Sequence, residues 1–295
     1  MERPLRSWMF VPGNSQKFLD KALGGGVGVD AVFLDLEDGV PFPLKAEARD
    51  LVAAATLGAA AGGPLRFVRV NAITTDEFPR DIERVLTPVT DGVCLPKTER
   101  PDDVLALARL LSDAEARLGL ADGTIRIIAA IESAAALLAA PSIATAHPRM
   151  LGLMFGAEDY ALDLGLSAQR EGEARDLIFA RSAIVVAAAA GRILSIDGVF
   201  PNLDDDDGLQ RDIVQSRQLG FSAKSTFNPR QVELINAVFS PTPDELEYAR
   251  TVVDAFEQAQ ARGDGSVAVG GQLVDLPIVM RAQRILELER QGVGS

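Results

Sequence analysis

The sequence is poor in the residues that build thiol and imidazole sites. It holds one cysteine, Cys94, and one histidine, His147. A single cysteine forms no internal disulfide, which suits a reducing cytosol, so a cytoplasmic location is expected. A lone histidine excludes a multi-histidine metal centre and leaves a Ser-His-Asp triad with one candidate. Just before Pro148, His147 reads as a helix-end or surface residue instead. Long apolar runs are also missing. The longest, AIVVAAAA (Ala183 to Ala190), is too short to span a bilayer, and the opening residues MERPLRSWMF carry no secretory apolar region. No membrane partner is expected. Nor is there an excess of basic residues: 29 Lys and Arg stand against 42 Asp and Glu, a net charge of −13. A nucleic-acid partner would need a cationic face, so none is expected. A small polyanion is still allowed, because a few local lysines dominate at short range.

What is present is a large apolar fraction, 47% of 295 residues, enough for the core of one α/β barrel. Short apolar runs alternate with helical patterns. The runs are SWMFVPG (7–13), DAVFLDLED (30–38), LRFVRVN (65–71), DGVCLPK (91–97), IRIIAAIES (125–133), MLGLMFGAED (150–159), ILSIDGVFP (193–201) and GFSAKST (220–226). Near-continuous apolar strands that each lead into a helix imply a parallel sheet covered by helices. Eight such units predict a TIM (β/α)8 barrel. A doubly wound open sheet is the rival, but no Gly-rich dinucleotide fingerprint is present. The barrel is expected over residues 1–240. A helix–flap–helix extension is expected over 241–295, with Thr242 capping its first helix, a Gly-rich hairpin in GDGSVAVGGQLVDLP, and a final helix. The acidic run Asp204 to Asp207 reads as a helix start.

Most of the runs end in polar residues, and in a barrel all those ends converge on one face. Without histidine or cysteine clusters, a metal there must be held by oxygen, which suits Mg²⁺. Glu132 and Asp159 end consecutive apolar runs and are the candidate ligands. Arg69 shares a strand face with Phe67 and Asn71, so it needs a carboxylate or an anionic substrate nearby. Lys97 could form a Schiff base but is assigned an electrostatic or structural role, because the carboxylate pair offers a metal-based route. In VFLDLEDGV, alternation puts Asp35 and Glu37 on one face and Leu34, Leu36 and Asp38 on the other. Glu37 and Asp38 are expected at the rim, holding metal-bound water or orienting Arg69.

These blocks, with LIFARSAIV, SIDGVFPNLDDDDGLQRD, LGFSAKSTFNPRQVELIN and LVDLPIVMRAQRIL, resemble in order and spacing the citrate lyase β-subunit-like group of the HpcH/HpaI aldolase family. The resemblance covers nearly the whole chain. It implies a TIM barrel, Mg²⁺ dependence, and carbon–carbon cleavage of a 3-hydroxyacyl-CoA thioester of the citramalyl, malyl or citryl type to acetyl-CoA and a 2-oxo acid. By the same resemblance, Glu132 and Asp159 hold the metal and Arg69 binds the substrate carboxylate or carbonyl. Phe10, Lys17 and Lys21 contact coenzyme A; the two lysines, four residues apart, share a helix face that suits phosphate. Asp275, in the flap, is implied to reach a neighbouring subunit of a homotrimer. Where many relatives read Ile-His-Pro, this chain has Phe227-Asn228-Pro229, and Asn228 cannot titrate, which opens the question of the acyl carrier. Alternatives are a citrate lyase β subunit acting on an acyl carrier protein, a silent coenzyme A-binding barrel, and a class II pyruvate aldolase.

Overall fold

The computed structural model describes residues 4–167 and 174–292. Eight parallel strands close into a barrel in chain order, β1 (Ser7–Pro12), β2 (Ala31–Asp35), β3 (Leu65–Arg69), β4 (Gly92–Leu95), β5 (Arg126–Ile131), β6 (Met150–Phe155), β7 (Leu194–Asp197) and β8 (Ala223–Thr226), with β8 pairing back onto β1. The helices between them are α1 (Gln16–Leu23), α2 (Lys45–Gly58), α3 (Glu77–Val85), α4 (Pro101–Leu118), α5 (Ala134–Ala144), α6 (Ala157–Asp163), α7 (Ile178–Gly191) and α8 (Asp206–Leu219), with α9 (Val232–Phe239) after β8. Every expected run contains a strand; β2 to β7 stop two to four residues before the run does, β1 stops one residue before, and β8 continues to the end of its run. Most of the polar ends lie in the loops at the mouth.

Residues Leu5–Asn236 form one compact unit, and a second contains the chain from Ala237 onward. In the second, α10 (Pro243–Ala261) begins at Thr242, whose side chain accepts from the Glu245 N–H while Glu245 reaches back, a reciprocal cap. An antiparallel hairpin of β9 (Val267–Val269) and β10 (Gln272–Val274) follows, then α11 (Leu276–Gly292). Val252, Phe256, Val274 and Val279 form the core of this unit. The acidic run caps α8 as expected, with the Asp205 carboxylate accepting from the Gly208 N–H. Among the described residues no helix is long and apolar enough to cross a membrane.

Inside the barrel, side chains alternate with period 2, so one parity of each strand points inward. Trp8, Phe33 and Phe67 pack there, with ring centroids 4.9 and 5.1 Å from Trp8. Gly92 faces them because a Cβ at that position would overlap the Phe67 ring. Ala130, Ile196 and Ala223 belong to the same apolar cluster. Two residues farther along these chains, the inward positions become Asp35, Arg69, Glu132 and Ser225. The apolar plug is therefore roofed by a polar layer, which follows directly from the strand period.

A second polar cluster lies between strands and helices. The Lys224 Nζ donates to Asp197 (2.9 Å) and to the Gly198 carbonyl (2.7 Å), and it pairs with Asp212 (2.6 Å). The Arg181 guanidinium joins Asp197 and Asp212. Burial raises the Asp197 pKa, but Lys224 and Arg181 outweigh it and hold the acid below its ordinary range. Breaking a buried pair leaves a charge uncompensated. Lys224→Met is therefore expected to destabilise the protein by about 3 kcal/mol or more, read as a lower urea midpoint.

Candidate active site

A cavity of about 320 Å³ opens at the C-terminal end of the barrel, lined by Phe10, Asp35, Asp38, Arg69, Glu132, Asp159, Val199, Ser225 and Phe227 among others. Asp35 organises one side. Its carboxylate accepts from Arg69 Nε and Nη2, both at 2.7 Å, and from the Glu37 and Gly39 N–H groups at 2.9 and 3.0 Å. Gly39 is required there, since a Cβ would overlap Asp35 Oδ2. Arg69 Nη1 reaches Glu37 Oε2 at 3.2 Å, and Phe10 lies over the guanidinium at 4.7 Å. Burial opposes the Arg69 charge, but Asp35 and Glu37 reverse that and raise its pKa. The guanidinium has five N–H donors. Its acid partners leave some free to face the cavity.

Lys97 closes the other side. Among the described residues it is one of three non-glycine residues with positive φ, at 50°. This turn aims its N–H at Glu132 Oε2 (2.7 Å) while its Nζ donates to Glu37 Oε1 (2.5 Å) and Asp38 Oδ2 (3.3 Å). Burial disfavours the ammonium, yet Glu37 and Asp38 outweigh it and raise the Lys97 pKa. An ammonium held charged in this way is a poor imine former at neutral pH, in keeping with the electrostatic role expected for it.

Glu132 is only 5% exposed and follows β5, next to β6 in the barrel. Burial, then repulsion from Glu37 and Asp159, pushes its pKa up to about 7. Gly156 passes so close that a Cβ there would fall on the Glu132 side chain. Asp159 is not at a strand end, as its run had suggested. It sits in the first turn of α6, because the chain turns at Gly156 and helix begins at Ala157. Glu132 and Asp159 nevertheless line the same cavity. No group of three or more His, Cys, Asp or Glu is arranged to hold a metal ion among the described residues. The donor set is thus two carboxylates, one raised in pKa by burial and then by like charge, which fits a hard divalent cation that keeps water or substrate oxygens as its other ligands.

The remaining candidates are scattered. Phe227 lines the cavity and stacks toward Phe10, with centroids 5.2 Å apart. Asn228 is not in the lining; its Oδ1 accepts from the Arg230 N–H and caps the turn at Pro229–Gln231. Glu37 also lies behind the lining, clamped by Arg69 and Lys97. Lys17 and Lys21 are exposed on α1. Asp275 lies in the C-terminal unit, exposed at the start of α11, where its carbonyl accepts from the Ile278 and Val279 N–H groups. The acids of VFLDLEDGV face Arg69 and Lys97. The lysine was the unforeseen half of that answer, and its signal was the Pro-Lys ending of the neighbouring run. Asp35, placed on one strand face with Glu37, is the acid that grips Arg69 most closely, and its inward parity with Phe33 marks it.

The model of the HpcH/HpaI aldolase/citrate lyase family matches residues 6–229. The chain belongs to this family. Like other members it is a carbon–carbon lyase. It is 39% identical to a citrate lyase subunit beta of Leuconostoc mesenteroides subsp. cremoris, over 97% of this chain and 94% of that one. It is 34% identical to a (3S)-malyl-CoA thioesterase of Cereibacter sphaeroides, over 97% and 95%. Among solved structures it resembles protein CitE from Mycobacterium tuberculosis in complex with magnesium, acetoacetate and coenzyme A, with 29% identity, a TM-score of 0.78 and 99% of both chains covered.

Proposed function

We propose that the protein is a Mg²⁺-dependent lyase that splits a 3-hydroxyacyl-CoA thioester of the citramalyl, malyl or citryl type into acetyl-CoA and a 2-oxo acid. The observation that carries this reading is the pairing of Glu132 and Asp159 in one cavity with Arg69, a carboxylate pair short of positive charge beside a guanidinium. Glu132 and Asp159 would hold the metal. When bound, Mg²⁺ supplies positive charge to the oxygens of the 2-oxo-acid half. Arg69 faces the same half and stabilises developing oxyanion charge with donors already oriented by Asp35. Glu37 and Lys97 fix the guanidinium and the Glu132 carboxylate. In cleavage the substrate hydroxyl gives its proton to water, the carbon–carbon bond electrons pass to the thioester α-carbon, and Asp275 in its acid form protonates that carbon and is reprotonated from water, so protons balance. We assign Asp275 to this step on the family resemblance, delivered by the C-terminal flap from a neighbouring subunit of a trimer. Phe10, Lys17 and Lys21 would meet coenzyme A, with Phe227 closing the acyl end.

A second reading, the β subunit of a citrate lyase complex acting on citryl carried by an acyl carrier protein, is favoured by the 39% identity to a citrate lyase subunit beta. One assay decides. The folded protein is given citramalyl-, malyl- and citryl-CoA and citryl-acyl carrier protein, with Mg²⁺ or with EDTA, and 2-oxo acid release is measured. Cleavage of a CoA ester that EDTA abolishes is expected, with Asp275→Asn slowing it by about 10²-fold or more. Cleavage of the carrier-bound citryl alone selects the second reading. Folded protein that cleaves none overturns both.

A further inference from the structure

One cation beside the cavity is unused by this account. Lys45 is the first residue of α2, where the helix dipole favours acids and disfavours a cation. Its Nζ nevertheless donates to the Leu36 carbonyl (2.7 Å), the Glu37 carbonyl (3.0 Å) and Asn71 Oδ1 (2.6 Å). An ammonium has three donors, so all are committed, each to a neutral oxygen. Lys45 therefore has no donor left for a substrate. Two of its three acceptors are the main chain just before the Glu37 side chain and at Glu37 itself.

The third acceptor is anchored in turn. Asn71 N–H and Nδ2 both donate to Asp81 Oδ2 at 2.7 Å, and Asp81 Oδ1 accepts from Arg49 Nε at 2.6 Å. Arg49 also binds Glu77. A continuous line of hydrogen bonds thus runs from α2 and α3, through Asp81, Asn71 and Lys45, to the backbone of Glu37. On the far side, Glu37 holds Arg69 and Lys97. Glu37 lies just past the end of β2, where its N–H is held by the Asp35 carboxylate and no strand bond fixes its carbonyl side. The Glu37 carbonyl otherwise accepts only a turn bond from Val40.

We infer that Lys45 is a positioning residue for the active site, holding the Glu37 backbone so that its carboxylate keeps Arg69 and Lys97 in register. This inference rests on the lyase reading only in its kinetic test. Lys45→Met is expected to lower kcat by about 10-fold or more with the thioester KM changed less than about 3-fold, because transition-state contacts are lost while coenzyme A contacts stay. Lys45→Arg should recover part of the loss. In a Glu37→Gln background, Lys45→Met should add less than about 2-fold, since residues acting through one another are not additive. An unchanged kcat, or a full loss that persists in the Glu37→Gln background, overturns the inference. If the wild-type protein cleaves no thioester, the lyase reading fails, and the same cycle of four proteins is read in urea midpoints. Non-additive shifts then support the inference and additive shifts overturn it.

Discussion

Glu132→Gln is expected to abolish Mg²⁺-dependent cleavage, by about 10³-fold or more, while making the metal-free protein more stable near pH 8. The first effect follows from losing a charged ligand whose metal supplies several kcal/mol of transition-state stabilisation. The second follows from proton linkage. The folded carboxyl has a pKa of about 7 against an ordinary 4.5. Between those values the folded protein keeps a proton that the unfolded chain releases, so stability falls as pH rises and this group's contribution is fully lost above the folded value. The difference is worth about 3 kcal/mol. Urea unfolding in EDTA at pH 5 and pH 8 checks it. The wild type should lose about that much more than Glu132→Gln across the interval. Mg²⁺ should restore stability to the wild type at pH 8 and do nothing for the variant. Equal pH dependence in the two proteins would contradict the placement of Glu132 among Glu37 and Asp159.

Asp35→Ala is expected to be the most destabilising substitution at the mouth. It removes two bonds to the Arg69 guanidinium and leaves the Glu37 and Gly39 N–H groups without their acceptor. An uncompensated buried charge costs about 3–5 kcal/mol, and each orphaned buried donor adds about 1–3. Activity should fall with it, because Arg69 is then held only by Glu37. Stability and chemistry separate in the double variant Asp35→Ala/Arg69→Met. Removing both partners removes the stranded charge but not the two orphaned N–H groups, so part of the urea midpoint should return while cleavage stays absent. A double variant no more stable than Asp35→Ala would show that the pair is not the source of the loss.

Both predictions use residues whose positions were legible in different degrees. The eight strands were legible because each is a short apolar run of the kind a covered parallel sheet needs, and Glu132 and Arg69 were legible because strand parity and charge single them out. The start of α6 was not. MLGLMFGAED reads as one run, and only the close approach of Gly156 to Glu132 shows why the strand must end before Asp159. Asn228 was noted on the family resemblance alone, and its oxygen is engaged within its own turn.

The sequence by itself determined the parallel barrel, the oxygen-only donor set and the polar layer above the apolar plug. These depend on period, composition and the order of residues along single strands, all local properties. Only the tertiary structure decided which charge meets which. Asp35 finds Arg69 across 34 residues, Glu37 finds Lys97 across 60, and Lys45 finds Asn71 across 26. Such choices depend on distances of a few ångströms between side chains from separate strands and helices, set by barrel closure and by a left-handed turn at Lys97. Charge balance alone requires that a buried arginine have an acid nearby. It does not say which acid, and that identity decides which carboxylates are left over for a metal.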